Sequence, residues 1–228
     1  IVTPTITNVT CFGGSNGEIS LAISGGTSPY TTSWAGGAST TTITGLTAGG
    51  YNVTVTDDNG AVATGSYTIT EADEISLPGA ITNVDCNGNS NGAIVLTVIN
   101  GVSPFDFAWS NSETTQNISG LGLGTVYLLV TDDSGCTASN SYTVVEPALL
   151  SFTGSISNFS GFSVGAFGAS DGTIDLTVSG GTGPYTFSWL PAATDQNLSG
   201  LAAGTYEVTV TDLNSCTESG TFTLTEPP

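Results

Sequence analysis

The sequence has no Lys, Arg, His or Met among its 228 residues, and its 19 Asp and Glu residues give a net charge of −19. Because no side chain can neutralise a phosphate, the sequence predicts no nucleic-acid partner and no attraction to an anionic membrane surface. The missing residue types also exclude His-based catalytic triads, Schiff-base lysines and arginine clamps. Carboxylate-pair chemistry, calcium binding and a purely structural role remain open.

Cysteine is scarce as well, and the four Cys residues form no CxxC pair, which disfavours a zinc site. No apolar run approaches the roughly 18 residues that a helix needs to span a bilayer, so we expect no membrane insertion. Hydrophobic residues make up 38% of the chain and Gly occupies 31 positions. This composition is typical of β-structure with many turns. The chain begins with Ile1, and we expect it to be a mature product or a piece of something longer.

The residues that are present form a threefold repeat. Trp34, Trp109 and Trp189 recur at spacings of 75 and then 80, and a Pro, an Asp and a Gly of each copy keep the same spacings. Asn8, Asn83 and Asn158 are instead spaced by 75 and 75. The five extra residues of the third copy therefore lie between Asn158 and Gly172, and we expect a loop insertion near 159–171.

Each copy alternates apolar and polar residues over short segments, as in Ile19, Leu21 and Ile23 or in Tyr51, Val53 and Val55. Gly, Pro, Asn and Asp bound these segments, which is the pattern of half-buried strands. The sequence predicts an all-β chain of three tandem, small, immunoglobulin-like antiparallel β-sandwich domains. We place repeat 1 at 1–72, repeat 2 at 73–147 and repeat 3 at 148–228.

The segments 25–30 (GGTSPY), 33–34 (SW), 45–49 (GLTAG) and 51–57 (YNVTVTD) resemble the SprB-type repeat, as do 180–185 and 200–206. This family occurs in very large secreted surface proteins of Bacteroidetes, including adhesins of gliding motility. The resemblance implies an extracellular, cell-surface location, export by a type IX secretion route and a stalk or filament role. It also implies neighbouring repeats of a longer parent chain as partners.

The cysteines suggest one disulfide. Cys86 precedes the first core strand of repeat 2 and Cys136 follows its last turn, so we predict a Cys86–Cys136 bond that contributes about 3–4 kcal/mol. Repeat 1 has Cys11 but Ala61 at the second position, and in repeat 3 only Cys216 remains. Cys11 and Cys216 are then either free and buried or bridged to neighbouring chains. Four reduced, buried cysteines are the alternative.

An acidic turn recurs at one place in every copy. Asp and Asn supply the oxygen ligands that calcium prefers, and the junction residues Glu71, Asp73, Glu74 and Glu146 could add to a site. The alternative is ordinary turn chemistry, because Asp and Asn hydrogen-bond to their own turns. The candidate Ca²⁺ ligands are Asp57, Asp58, Asp132, Asp133 and Asp212.

No pair of carboxylates recurs with a spacing that would suit glycosidase chemistry, so we predict that the chain is not an enzyme. The leading hypothesis is a structural spacer in a surface adhesin. The alternatives are a module that binds glycans or proteins and a filament subunit that associates with other copies of itself. The candidate ligand contacts are Phe159, Phe162 and Phe167 in the insertion.

Overall fold

A computed structural model describes all residues, 1–228, and shows an all-β chain of 18 strands. Every repeat contributes six strands. None of its segments forms a helix of the length and apolarity needed to cross a membrane.

Repeat 1 contains β1 (Val2–Thr7), β2 (Gly17–Ile23), β3 (Thr31–Trp34), β4 (Thr42–Leu46), β5 (Gly49–Thr56) and β6 (Val62–Ile69). Repeat 2 contains β7 (Gly79–Thr82), β8 (Gly92–Leu96), β9 (Phe105–Trp109), β10 (Ile118–Leu121), β11 (Gly124–Asp132) and β12 (Thr137–Val144). Repeat 3 contains β13 (Ser151–Ile156), β14 (Gly172–Ser179), β15 (Thr186–Leu190), β16 (Leu198–Leu201), β17 (Gly204–Thr211) and β18 (Thr217–Leu224).

The strands form six three-stranded sheets, two from each repeat. The first, second and fourth strands of a repeat make one sheet, with the second in the middle. The third, fifth and sixth make the other, with the fifth in the middle. The strand pairs are antiparallel, for example β1 with β2 and β5 with β6. The predicted fold class, tandem immunoglobulin-like domains, is confirmed.

The cores lie where the alternation places them. In repeat 1 the buried cluster comprises Val9, Ile19, Leu21, Trp34, Val53, Val55 and Ile69. The indole Nε1 of Trp34 donates to the carbonyl of Thr40 at 2.9 Å, so the one polar atom of this large side chain is satisfied. Trp189 in repeat 3 does the same with the carbonyl of Asp195, also at 2.9 Å.

The recurring Gly-Leu step is a β-bulge. Gly17 pairs with Leu46 but Glu18 pairs with Thr44, so Gly45 is an extra residue in β4. Its φ of +70° is a left-handed conformation that side chains other than Gly rarely adopt. Gly120 and Gly200 hold the matching positions at φ +74° and +71°. The bulge therefore explains why Gly returns at this step in each repeat.

By contacts between Cα atoms the chain divides into two compact units. One comprises 1–79, 96–116 and 126–141, and the other comprises 80–95, 117–125 and 142–228. The first unit holds all of repeat 1, and the second holds all of repeat 3. The boundaries predicted from the sequence, after 72 and after 147, stay predictions.

Candidate functional site at the repeat junctions

The acidic residue of the β5–β6 turn fixes that turn through both carboxylate oxygens. Oδ2 of Asp57 accepts from the backbone N–H of Thr27 at 2.9 Å. Oδ1 accepts from the N–H groups of Asn59 at 3.1 Å and Ala61 at 2.7 Å. The turn is therefore closed by one carboxylate that binds two loops of the repeat together.

The other two repeats build the same turn. Asp132 accepts from the N–H groups of Val102, Ser134 and Cys136, and Asp212 from those of Thr182, Asn214 and Cys216. All six N···O distances are 2.8 or 2.9 Å. Asp132 and Asp212 are buried, at 6% and 5% exposed. A buried carboxylate must be hydrogen-bonded, and these are.

These backbone hydrogen bonds favour the ionised carboxylate. The N–H of Thr27 is the largest influence that holds the pKa of Asp57 below its ordinary value, followed by the N–H of Ala61. The N–H of Val102 is the largest influence that lowers the pKa of Asp132, where burial acts in the opposite direction.

The carboxylates of three candidate calcium ligands are used in hydrogen bonds to their own turns. Backbone N–H groups already point at both oxygens of Asp57, Asp132 and Asp212, and a cation would need those same oxygens. Asp58 and Asp133 are exposed, and Leu213 takes their place in repeat 3. No group of three or more Asp, Glu, Cys or His side chains is arranged to hold a metal. The hydrogen bonds are those of ordinary turn chemistry, and calcium binding at these residues stays a prediction.

The loop between the first two strands of each repeat is held by a glutamate from the end of the same repeat. Oε2 of Glu71 accepts from the N–H of Gly13 at 2.6 Å. Glu146 and Gly88 make the same bond at 2.8 Å, and so do Glu226 and Gly168 at 2.8 Å. Sequence reasoning missed this clamp. The sequence does contain a signal for the clamp, because the three glutamates recur at the same spacings, 75 and 80, as the three tryptophans.

All four cysteines are paired, in two disulfides that link successive repeats. Cys11 in the β1–β2 loop of repeat 1 is bonded to Cys136 in the β11–β12 turn of repeat 2, with Cα atoms 5.4 Å apart. Cys86 in the matching loop of repeat 2 is bonded to Cys216 in the matching turn of repeat 3, with Cα atoms 5.7 Å apart. Both bonds therefore follow one rule, from the loop of one repeat to the turn of the next.

The predicted Cys86–Cys136 bond is wrong, and Cys11 and Cys216 are not left over. Repeat 1 shows why one repeat cannot close this bond by itself. The loop of Cys11 is tied to Glu71 beyond the end of β6, whereas Ala61 lies in the turn at the other end of the eight-residue strand β5. Eight residues of strand span about 26 Å, and a disulfide needs Cα atoms within about 7 Å.

The insertion of repeat 3 is a small hairpin. The N–H of Phe159 donates to the carbonyl of Phe162 at 2.7 Å, and the reverse bond is 3.3 Å. Ser160 and Gly161 between them have φ of +55° and +102°, as a tight two-residue turn requires. Val164 is then fully buried, and its N–H donates to the carbonyl of Thr225.

This geometry narrows the position of the extra residues within 159–171. Val9 and Val164 are both buried apolar side chains, and their N–H groups donate to the carbonyls of Thr70 and Thr225. Val164 therefore takes the place of Val9. The extra residues are therefore 159–163, and Ala166 occupies in repeat 3 the position that Cys11 has in repeat 1.

Of the three candidate ligand contacts, the structure places Phe159 and Phe162 in the hairpin. Phe167 lies beyond it, in the loop that corresponds to the Cys11 loop. Phe159 is 41% and Phe167 76% exposed, whereas Phe162 is half-buried.

Comparison with known proteins finds one similar repeat family. The model of the SprB repeat matches residues 3–39, 79–114 and 167–194, one region in each repeat. Each of the three repeats is therefore similar to the SprB repeat over part of its length. The third match starts just beyond the hairpin, at the loop where the three repeats correspond again. No curated protein sequence matches the chain at a significant level.

Solved structures of tandem immunoglobulin domains are similar in architecture. The N-terminal eight Ig domains of Down syndrome cell adhesion molecule match over 99% of this chain and 36% of that one, at 11% identity and a TM-score of 0.45. Sidekick-1 immunoglobulin domains 1–5 match over 99% of this chain and 58% of that one, at 11% identity and a TM-score of 0.39. The chain therefore spans about a third to three fifths of these proteins. Similarity at this level carries no information on what the chain binds.

A cleft of about 640 Å³ adjoins the disulfide between the first two repeats. Its lining includes Cys11, Cys136 and Asp132, together with Asp73 and Glu74 from the segment that joins the repeats. The carboxylate of Asp132 is already occupied by its turn. The junction thus consists of a covalent bond, a short connecting segment and a cleft with an acidic lining.

Proposed function

We propose that the chain is a non-catalytic spacer segment of a large bacterial surface adhesin, outside the cell. In this role it holds an adhesive part of its parent chain away from the cell. Export by a type IX route and a part in gliding motility belong to the same proposal, since the SprB family implies both. The domain boundaries after 72 and after 147 are part of it.

The observation that carries the proposal is the covalent link at each junction. A flexible tether needs no cross-link between neighbouring repeats, whereas a spacer that must keep its length gains from one. The Cys11–Cys136 bond joins repeats 1 and 2, and the Cys86–Cys216 bond joins repeats 2 and 3. Disulfides are stable in an oxidising environment outside the cell, which suits the proposed location.

The side chains with reactive potential are committed to structure, which supports a non-catalytic role. The buried carboxylates of Asp132 and Asp212 each hold a turn, and every cysteine is in a disulfide. No buried side-chain nitrogen or oxygen lacks a hydrogen-bond partner. These side chains therefore hold the fold together, which fits a structural role.

Small-angle X-ray scattering of the oxidised 228-residue chain tests the proposal, with calcium and then with EDTA. The spacer role predicts an elongated particle in both solutions. A compact particle in both would contradict it. An elongated particle only with calcium would contradict the assignment of the Asp57, Asp132 and Asp212 turns to ordinary turn chemistry.

A module that binds glycans or proteins is the second candidate, and the exposure of Phe167 favours it. An aromatic ring that is 76% exposed on a loop is available to a ligand. A glycan array probed with the native chain and with Phe167→Ala tests this role. Phe162→Ala is the matched control, because the ring of Phe162 is half-buried in the neighbouring hairpin. Binding that is lost only in Phe167→Ala would support the module.

A further inference from the structure

The two disulfides interleave along the chain. The cysteines follow in the order Cys11, Cys86, Cys136 and Cys216, and the first is bonded to the third and the second to the fourth. The bonded cysteines are 125 positions apart in one case and 130 in the other, and the two closed segments share residues 86–136. The bonds therefore do not act independently when the chain is pulled from its ends.

The shortest covalent route through the chain uses both bonds. From residue 1 it runs to Cys11, crosses to Cys136, returns along the chain to Cys86, crosses to Cys216 and continues to residue 228. This route contains about 72 peptide steps, whereas the reduced chain has about 227. At about 3.6 Å a step, the fully extended lengths are about 260 Å and about 820 Å.

We infer that the interleaved disulfides make the three repeats an extension-limited unit, in which tension is carried by segment 86–136 of the middle repeat. Segments 12–85 and 137–215 stay slack at full extension, because longer routes cannot become taut before the shortest one. The unit can lose all of its tertiary structure under load and still reach only about a third of the length of its unbridged chain.

In the folded chain the same connections decide which parts of the outer repeats are loaded. Only residues 1–10 of repeat 1 precede its disulfide, and they contain β1, an edge strand that pairs with β2 alone. Only residues 217–228 of repeat 3 follow its disulfide, and they contain β18, an edge strand that pairs with β17 alone. Tension can peel these two strands, but it passes to a disulfide before it reaches the rest of either repeat.

The positions of the cysteines fit this inference. The loop position holds Cys11, Cys86 and Ala166 in the three repeats, and the turn position holds Ala61, Cys136 and Cys216. The loops correspond in structure, since the residue three beyond each loop position donates to its carbonyl at 3.0 or 3.1 Å. Alanine therefore stands at the turn position of repeat 1 and at the loop position of repeat 3, the two positions that have no partner position among these three repeats. Cysteine stands at the other four, so both internal junctions are bridged.

Single-molecule stretching of the oxidised chain, with handles at residues 1 and 228, tests the inference. The expected final length is about 260 Å, rising to about 820 Å when a reductant is added during the measurement. Cys11→Ser with Cys136→Ser should give about 350 Å, and Cys86→Ser with Cys216→Ser about 370 Å. Losing either bond thus adds about 100 Å, but losing both adds about 560 Å, which is the signature of interleaved bonds.

Each other outcome overturns the inference. A length of about 640 Å would mean a single Cys86–Cys136 bond, and about 820 Å in the oxidised chain would mean no bond. Pairing of Cys11 with Cys86 and of Cys136 with Cys216 would give the same short length as the interleaved bonds, so non-reducing peptide mapping must accompany the measurement. Fully extended length does not depend on how well a variant folds.

The value of this limit on a cell surface rests on the proposed spacer function, but the limit itself depends only on the pairing. A compact particle in the scattering experiment, combined with the short extended length of the doubly bridged chain, would reject the spacer and keep the extension limit. An elongated particle, combined with the extended length of a chain that has only a Cys86–Cys136 bond, would keep the spacer and reject the extension limit.

Discussion

The sulfur of Cys11 in the first repeat is bonded to the sulfur of Cys136 in the second, across 125 positions of sequence. The N–H of Cys136 also donates at 2.8 Å to Asp132, the carboxylate that fixes its turn. The cross-link between repeats is thus anchored in the turn that recurs in every repeat. The turn positions the cysteine, and the cysteine joins the repeats.

Peptide mapping of the unreduced protein should find two linked pairs. The chain has no Lys or Arg for trypsin, but cleavage after Glu, except where Pro follows, separates the four cysteines into the peptides 1–18, 75–113, 114–207 and 208–218. We expect 1–18 linked to 114–207 and 75–113 linked to 208–218 in mass spectra. Reduction before digestion is the control and should release all four. A link between 75–113 and 114–207 would contradict the structure.

Removing one disulfide should destabilise the chain measurably. A closed segment of 125 residues contributes roughly 5 kcal/mol in the loop-entropy treatment, so we expect Cys11→Ser with Cys136→Ser to lower the free energy of unfolding by about that amount. Denaturation by urea measures the change. Cys86→Ser with Cys216→Ser opens a segment of similar length and should cost about as much. A change below about 1 kcal/mol in both would show that the bonds do not form.

The strand pattern was predictable from the sequence because it depends on local physics. Alternation places Ile19, Val53 and Ile69 on an inner face, and the structure buries all three. Gly recurs at the position of Gly45 in each repeat because the bulge needs a positive φ. Such features are set within a few residues, and three copies in sequence make them easier to recognise.

The disulfide pairing was not predictable from one repeat considered alone. The sequence shows Cys86 and Cys136 in one repeat, and pairing them assumes that both lie at the same end of the sandwich. The length of the strand between the loop and the turn separates those ends. The signal that was missed is that Cys11 matches Cys86 and Cys136 matches Cys216, so the same two positions are filled across successive repeats.

The site of the insertion was predicted only within a range. The sequence limits it to 159–171, where Phe, Gly and Ser recur and no single alignment is favoured. The structure places the extra residues at 159–163, because Val164 has the buried position and the backbone hydrogen bond of Val9. Of the candidate Phe residues, Phe159 and Phe162 consequently belong to the inserted hairpin. Phe167 lies outside it, at the position that Phe12 has in repeat 1.

Replacing a turn carboxylate should destabilise its repeat. In Asp212→Asn, one side-chain oxygen becomes an NH₂ group that cannot accept the N–H of Thr182 or Cys216. Because Asp212 is buried, we expect a loss of about 1–3 kcal/mol in the free energy of unfolding. Asp175→Asn is the matched control, since Asp175 is exposed on β14 of the same repeat and should change little. Equal effects would contradict the role of the turn.

Calcium should leave the thermal stability of the chain unchanged. A ligand that binds only the folded state raises the Tm, and EDTA then lowers it. Because the Asp57, Asp132 and Asp212 carboxylates already accept three N–H groups each, we expect the Tm in millimolar calcium and in EDTA to agree within about 1 °C. Differential scanning calorimetry measures both. A calcium-dependent rise that disappears in Asp57→Asn would instead support a metal ion at that turn.

The stabilisation from the turn carboxylates should disappear in acid. The pKa values of Asp57 and Asp132 lie below the ordinary 3.8, so on acidification the unfolded chain takes up protons first. Their contribution is therefore complete well above pH 3.8 and declines as the pH falls through that value towards the folded pKa. Acidification also reduces the repulsion among 19 negative charges, which acts in the opposite direction on total stability.

A comparison of variants separates these two effects. We expect native protein to exceed Asp57→Asn with Asp132→Asn in the free energy of unfolding at pH 7, and the difference to shrink between about pH 5 and pH 3. Urea titrations at several pH values across this range measure it. Asp58→Asn with Asp133→Asn removes the same net charge from the exposed neighbouring positions and should show no such decline. A difference that is constant with pH would mean that the turns do not depend on ionised carboxylates.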